Sequence, residues 1–317
     1  MKSFLIGSRG SALALWQAEH VRKLLHVRAG VRAEVLVVQT SGDKLDHLPF
    51  GPVGLKGMFI KELEEALLEG RVDLAVHSLK DVPAELPEAL TLGAICERED
   101  VRDALISRTG AILDQLPRDA RIGTSSLRRQ SQLRHYRSDL QVAELRGNVD
   151  TRIAKLDRGD YDAIVLAKAG LDRLTKADRI TQVLTTKISL PAVGQGAIAI
   201  ETRAADRELA GILSTLDHKP TRQAVTAERA LLAALGGGCQ VPIGAWGRVN
   251  GELLELDAAV LSPDGAECLR QSAVGLAYEA EAVGRQLAES LLAAGARQLL
   301  SEFGGEQTDR ANGHTAR

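Results

Sequence analysis

The order of apolar and polar positions divides the 317-residue chain into short strands and amphipathic helices. Phe4 to Ile6 reads as a strand and Gly7-Ser8-Arg9-Gly10-Ser11 as a polar turn. Leu13, Trp16, Val21 and Leu24 then recur at i, i+3, i+8 and i+11, the spacing of one helix face. At Arg121 the pattern returns in RIGTSSLRRQSQLRHY: a strand ending at Ile122-Gly123, hydroxyls at Thr124, Ser125 and Ser126, then a helix. A second echo pairs EGRVDLAVHSLKD, from Glu69, with RGDYDAIVLAKAG, from Arg158. Both set a short apolar strand behind G-x-x-D, and both follow helical stretches, Phe59 to Leu68 and Thr151 to Leu156. Two echoes in one order predict two similar α/β lobes. Alternation of helix and strand predicts crossover connections, parallel pairing and helices on both faces of each sheet.

After Pro191 the segment AVGQGAIAIE resumes strand character, and the texture then changes. An Ala-rich helix is predicted from about Thr221 to Leu235, with Gly236 placed to cap it. From Ile243 the chain reads as an antiparallel meander, with Asn250-Gly251 as a type I′ turn and Ser262 to Gly265 as a second turn. A helix carrying Val283, Leu287 and Leu291 follows and ends near Gly295. These elements predict a smaller α+β third domain. The expected boundaries are 1–97 with 197–215 for the first lobe, 102–191 for the second and 219–304 for the third domain. The polar residues 305–317 are expected to be a disordered tail.

Composition narrows the function classes. Lys and Arg number 40 against 42 Asp and Glu, a formal net charge of -2, so no global field draws the chain to nucleic acid or a membrane surface. A cationic site must be local. Three cysteines, Cys96, Cys239 and Cys268, without a CxxC pair, argue against a disulfide framework and against structural zinc, so no metal is expected. The opening MKSFLIGSRG has four apolar residues before Arg9, and no run approaches a membrane span, so a cytoplasmic location is expected.

Three stretches carry candidate chemistry. LLAALGGGCQVPIG sets Cys239 on a glycine loop just past a helix C-terminus, where a bulky group could reach the sulfur. A buried structural cysteine is the alternative, and the negative pole of the helix disfavours thiolate. Between Arg121 and Asp160, nine Lys or Arg stand against five Asp or Glu. Arg128, Arg129, Arg146 and Arg152 fall beside strand ends or helix starts, Thr124 and Ser126 can cap a helix, and Arg9 and Ser11 hold the matching place in the first lobe. A solvated basic face is one account of such a run; a cleft for planar acid groups is the other. In HSLKDVP, an apolar strand ends at Ser78, Lys80 and Asp81, where open α/β sheets bind ligands. The alternative for Asp81 is an Asx turn before Pro83.

Eight stretches in order, IGSRGSALALWQA, KGMFIKELE, DLAVHSLKDVP, IGTSSLRRQ, LRGNVDTR, AGLDRL, PAVGQGAIAIE and GGGCQVPIGA, resemble the porphobilinogen deaminase (hydroxymethylbilane synthase) family across nearly the whole chain. The resemblance implies an α/β protein with two periplasmic-binding-protein-like lobes and a smaller α+β third domain that bears a cofactor. It implies a monomeric transferase that condenses four molecules of porphobilinogen head to tail, releasing ammonia, on a dipyrromethane primer. It implies that Cys239 holds the primer as a thioether, by capture of an azafulvene electrophile that tolerates a weakly activated thiol. Asp81 would assist proton transfers at the pyrrole nitrogens. Lys80, Ser78, Thr124, Ser126, Arg128, Arg129 and Arg146 would hold cofactor acids, and Arg9, Ser11, Gln17, Phe59, Arg152 and Arg173 would hold substrate. Two primer rings and four added rings bring about twelve carboxylates, which a dry cleft could not hold without arginines. Two positions depart from the family: Leu55 where a second glycine is expected, and Asp150 where glycine is common, adding negative charge near Arg146 and Arg152. The rival readings are a two-lobed binding module for a small polyanion, and another acid-binding transferase in which Cys239 is structural.

Overall fold

The computed structural model describes residues 3–39, 60–236 and 241–301. The first lobe runs β1 (Ser3–Ser8), α1 (Ala12–Ala29), β2 (Arg32–Val37), α2 (Lys61–Leu68), β3 (Leu74–Ser78) and β4 (Leu90–Ile95). The second runs β5 (Asp103–Ser107), β6 (Arg121–Gly123), α3 (Leu127–Tyr136), β7 (Gln141–Ala143), α4 (Val149–Asp157), β8 (Ala163–Ala167), α5 (Lys168–Arg173) and β9 (Gln182–Val183). The chain then returns through β10 (Ile198–Arg203) and α6 (Arg207–Leu213). Local chemistry sets the helix starts. Ser11, Ser126 and Asn148 each accept a hydrogen bond from the first turn of α1, α3 and α4, and Gly30 ends α1 in the left-handed conformation.

The two five-stranded sheets share one plan, with orders β2-β1-β3-β10-β4 and β7-β6-β8-β5-β9. The two echoing strands, β3 and β8, both take the central position. In each sheet the first three strands are parallel, as the echoes predict, but the fourth is antiparallel to both neighbours. The expected parallel pairing therefore holds for the first three strands of each sheet and is corrected at the fourth. The fourth strand of each sheet adjoins a crossing between lobes, β5 on entry to the second and β10 on return to the first. It is laid down against the grain of the local crossovers. Apolar side chains fill both faces of the second sheet, Leu105, Ile122 and Val165 on one and Ile106, Ile164 and Leu166 on the other.

The third domain packs α7 (Lys219–Ala234) and α8 (Ala280–Ala293) on an antiparallel sheet of β11 (Ile243–Asn250), β12 (Leu253–Leu261) and β13 (Cys268–Leu276). Leu231, Leu254, Leu256, Leu287 and Leu291 form its core. Gly236 follows α7 with φ +69°, as expected of a cap. The β11–β12 turn differs from the expected type I′ at Asn250-Gly251. Asn250 pairs with Leu253, so the turn residues are Gly251 and Glu252, and only Gly251 has positive φ. That is the pattern of a type II′ turn, in which glycine takes the first central place. Among the described residues no helix is long and apolar enough to cross a membrane.

Candidate active site

In the first lobe, β1 and β3 lie side by side and parallel, so their carboxyl ends open on one edge of the sheet. Ser11 caps α1, its Oγ accepting from Ala14 N–H at 3.3 Å, and Arg9 sits partly buried before it. Buried Gln17 donates from Nε2 to Ser78 Oγ at 2.8 Å, which ties α1 to the end of β3. The chain then makes a single 3-10 turn, Leu79–Asp81, closed by Val82 N–H to Leu79 O at 3.0 Å. Asp81 is exposed, and its carboxylate makes no hydrogen bond or ion pair among the described residues. A backbone bond closes the turn, so the Asx-turn account lacks its hydrogen bond. Arg229 of α7 holds the next residues by donating to the carbonyls of Val82, Pro83 and Ala84 at 3.2, 2.7 and 2.9 Å. Beneath the turn, His77 Nε2 meets Glu201 Oε2 at 2.9 Å in a buried pair.

Facing this edge, the second lobe is organised by a residue that the sequence reading did not single out. Asp103, fully buried at the start of β5, accepts from Arg128 Nη1 (2.8 Å), Arg129 Nη2 (2.7 Å) and Nε (3.1 Å), Ser189 Oγ (2.8 Å) and Gln195 Nε2 (2.9 Å). Burial alone would raise its pKa, but the two guanidiniums and their hydrogen bonds more than offset that and hold the carboxyl well below the usual range. Arg129 also donates to Val165 O, so all three of its nitrogens have protein acceptors. Arg128 reaches Leu190 O with Nη1 and keeps a buried Nε–H that has no hydrogen-bond partner. Thr124, buried, accepts from Ser126 N–H at 3.2 Å, and Ser126 caps α3 through Arg129 N–H.

The remaining arginines expected at the site from the second lobe are already engaged. Arg146 is paired with Glu144, and Arg152 donates to Gly147 O at 2.7 Å. Asp150, expected to weaken an acid contact nearby, instead meets Lys176 Nζ at 2.8 Å, so its charge is answered locally. Arg173, buried, pairs with Glu99 and donates to Gly196 O at 2.7 Å.

Electrostatics join the two edges. Burial draws the Lys80 ammonium down to about 8, Asp81 and Asp103 pull it up, and Arg129 and Arg128 push it down. Lys80 of the first lobe thus lies within electrostatic reach of the arginine pair of the second. Among the described residues its ammonium has no ion-pair partner. Cys239, Phe59 and Leu55 lie outside the described residues, as does the tail 305–317. The structure thus brings together Arg9, Ser11, Gln17, Ser78, Lys80 and Asp81 on one edge, and Thr124, Ser126, Arg128 and Arg129 on the other. Asp103 and Gln195, the residues missed, lie in CEREDVRDA and PAVGQGA; only the density of charge in the first could have pointed to them.

The third domain touches both lobes. Glu228 of α7, fully buried, takes Arg98 bidentately and also accepts from Gly194 and Gly247 N–H. The β12–β13 turn seats on α3: Arg134 Nη1 donates to Pro263 O and His135 Nδ1 meets Gly265 O, both at 2.9 Å. A Cβ at Gly265 would stand 2.6 Å from His135 N and Ser131 O, so only glycine fits there.

Fold and site define a two-lobed α/β protein that clusters cations at its sheet edges, with a third domain braced against both lobes. Solved structures similar to this chain include the periplasmic VFT2 domain of Bordetella pertussis BvgS (16% identity, 68% of this chain and 86% of that one, TM-score 0.42). Others are a periplasmic substrate-binding protein of an ABC transporter from Coxiella burnetii (16%, 71% and 96%, 0.41) and immunogenic lipoprotein A from Vibrio vulnificus (12%, 69% and 96%, 0.42). Residues 4–211 match the family model "Porphobilinogen deaminase, dipyromethane cofactor binding domain", and residues 222–293 match "Porphobilinogen deaminase, C-terminal domain". The chain belongs to the porphobilinogen deaminase family, transferases of porphyrin biosynthesis that use a dipyrromethane cofactor, and its function is the synthesis of hydroxymethylbilane.

Proposed function

We propose that this chain is a cytoplasmic, monomeric hydroxymethylbilane synthase in which Cys239 holds the dipyrromethane as a thioether and Asp81 is the catalytic carboxylate. The observation that carries the reading is an exposed Asp81, without a hydrogen bond or ion pair among the described residues, next to Lys80, which lies within electrostatic reach of the Arg128–Arg129 pair of the second lobe. The donor set suits the cofactor: the buried Arg128 Nε–H lacks a hydrogen bond, and Lys80 lacks an ion pair among the described residues. Both are groups that a ring carboxylate would satisfy. Lys80, Arg128 and, from the rim, Arg146 would hold the cofactor's acids, with Ser78, Thr124 and Ser126 beside them. Arg129 would act through Asp103, fixing the plane of its neighbour. When bound, the dipyrromethane supplies the free α-carbon at which the first porphobilinogen is joined.

Porphobilinogen would be held through its acids by Arg9, Ser11, Gln17, Arg152 and Arg173, and by Phe59. Loss of ammonia leaves positive charge spread toward the pyrrole nitrogen, and joining the next ring requires a proton to leave the α-carbon. Asp81 would accept the pyrrole N–H and stabilise that charge, since no internal bond has to break first. Domain limits of 1–97 with 197–215, 102–191 and 219–304 complete the proposal.

Intact-mass measurement of protein expressed from the full chain tests the assignment. Two covalently bound pyrrole units are expected, and they should be absent from a folded Cys239→Ser variant. A normal adduct on Cys96 or Cys268 in that variant would overturn it.

A further inference from the structure

Arg173 joins three parts of the molecule. It ends α5 in the second lobe, its Cζ lies 5.8 Å from the ring centroid of Trp16 on α1 of the first, and its partner Glu99 belongs to the segment that crosses between the lobes. His20 stacks on Trp16 with centroids 5.2 Å apart and rings 7° from parallel. One helical turn earlier on each element, a Cβ at Gly170 would lie at contact distance, 3.7 Å, from Leu13 Cδ2, so the two helices meet directly here.

The Arg173–Glu99 pair is poorly made. Nε and Glu99 Oε2 stand 3.1 Å apart, yet their geometry does not form a hydrogen bond, and each is a buried atom left without one. The partners also differ in burial: the Arg173 side chain is 4% exposed and that of Glu99 36%. Glu99 can therefore turn to water at little desolvation cost, whereas Arg173 stays buried and needs a carboxylate.

We propose that Glu99 is an internal competitor for substrate, a carboxylate that occupies Arg173 between additions and is displaced when an acid group of the incoming pyrrole takes its place. This rests on the reading of Arg173 as a substrate-acid site. Glu99 is then a positioning residue. It keeps the guanidinium oriented and stacked on Trp16, and its displacement subtracts from the affinity for substrate. A partly exposed ion pair opposes binding only modestly, by about two- to fivefold.

The test is steady-state kinetics of holoenzyme with porphobilinogen. Glu99→Gln keeps size and removes the charge; it should lower KM by about two- to fivefold with kcat little changed. Glu99→Asp, which withdraws the carboxylate, should shift KM in the same direction and serves if the first variant does not fold. A purely structural Glu99 would lower kcat or leave KM unchanged in both, which would overturn the proposal. Arg173→Gln separates the two levels. If it raises KM and leaves enzyme stalled with extra rings by mass while neither Glu99 variant lowers KM, the competitor is wrong and the substrate site stands. If it alters neither KM nor the mass ladder, the substrate site itself fails, and the competitor with it.

Discussion

Replacing Asp103 by Asn tests whether the second-lobe site is built around one buried charge. The carboxylate accepts five hydrogen bonds, three from Arg128 and Arg129, one from Ser189 and one from Gln195, with no exposure to water. Asparagine has the same shape, but it offers one acceptor oxygen and places an NH2 among donors. Two buried guanidiniums then lose their counter-charge, a change that costs about 3–5 kcal/mol when one partner of a buried pair is removed. At roughly 2–4 °C per kcal/mol for a domain of this size, the melting temperature should fall by about 10 °C. Because Arg128 loses its orientation, the fraction of protein that carries two pyrrole units by intact mass should fall as well. The pH dependence gives a second reading. The folded carboxyl titrates well below its unfolded value, so its stabilisation is complete above about pH 4 and is lost as the pH falls further. Asp103→Asn should flatten that acid limb. A variant that melts within about 3 °C of the parent and loads its primer normally would refute the reasoning, because the arginines would then need no internal anion.

Further outcomes follow from neighbouring geometry. With the Lys80 ammonium titrating near 8, its attraction for ring carboxylates should weaken as pH rises through that value. Primer loading by apo-protein, read by intact mass, should therefore fall on the alkaline side, and Lys80→Arg should remove the step; an unchanged alkaline limb in that variant would rule out Lys80. Gly265→Ala forces a Cβ to within 2.6 Å of the α3 backbone. It should lower the melting temperature and primer loading together, and a variant with both unchanged would show that the third-domain turn does not position α3.

Hydrophobic periodicity and turn chemistry carried much of the architecture. Ile6 and Val21 alternate or recur as core residues must, Ser11 and Ser126 cap because their side chains reach their own first-turn N–H groups, and the two G-x-x-D echoes announce β3 and β8, the central strands of two sheets with one plan. The candidate site was legible where chemistry is local: Ser78, Lys80 and Asp81 follow a strand end, and Arg128 and Arg129 follow a cap. Antiparallel β5 and β10 were not legible, because strand direction at a lobe crossing depends on a partner strand distant in sequence. Gly251 takes the first turn position rather than the second because pairing register, and not the residue pair alone, sets the turn. Asp103, Glu99 and Gln195 are ordinary polar residues in the chain. Only tertiary structure buries Asp103 between two guanidiniums and sets Glu99 against Arg173, since it is folding that removes water from a carboxylate and brings it against cations distant in sequence.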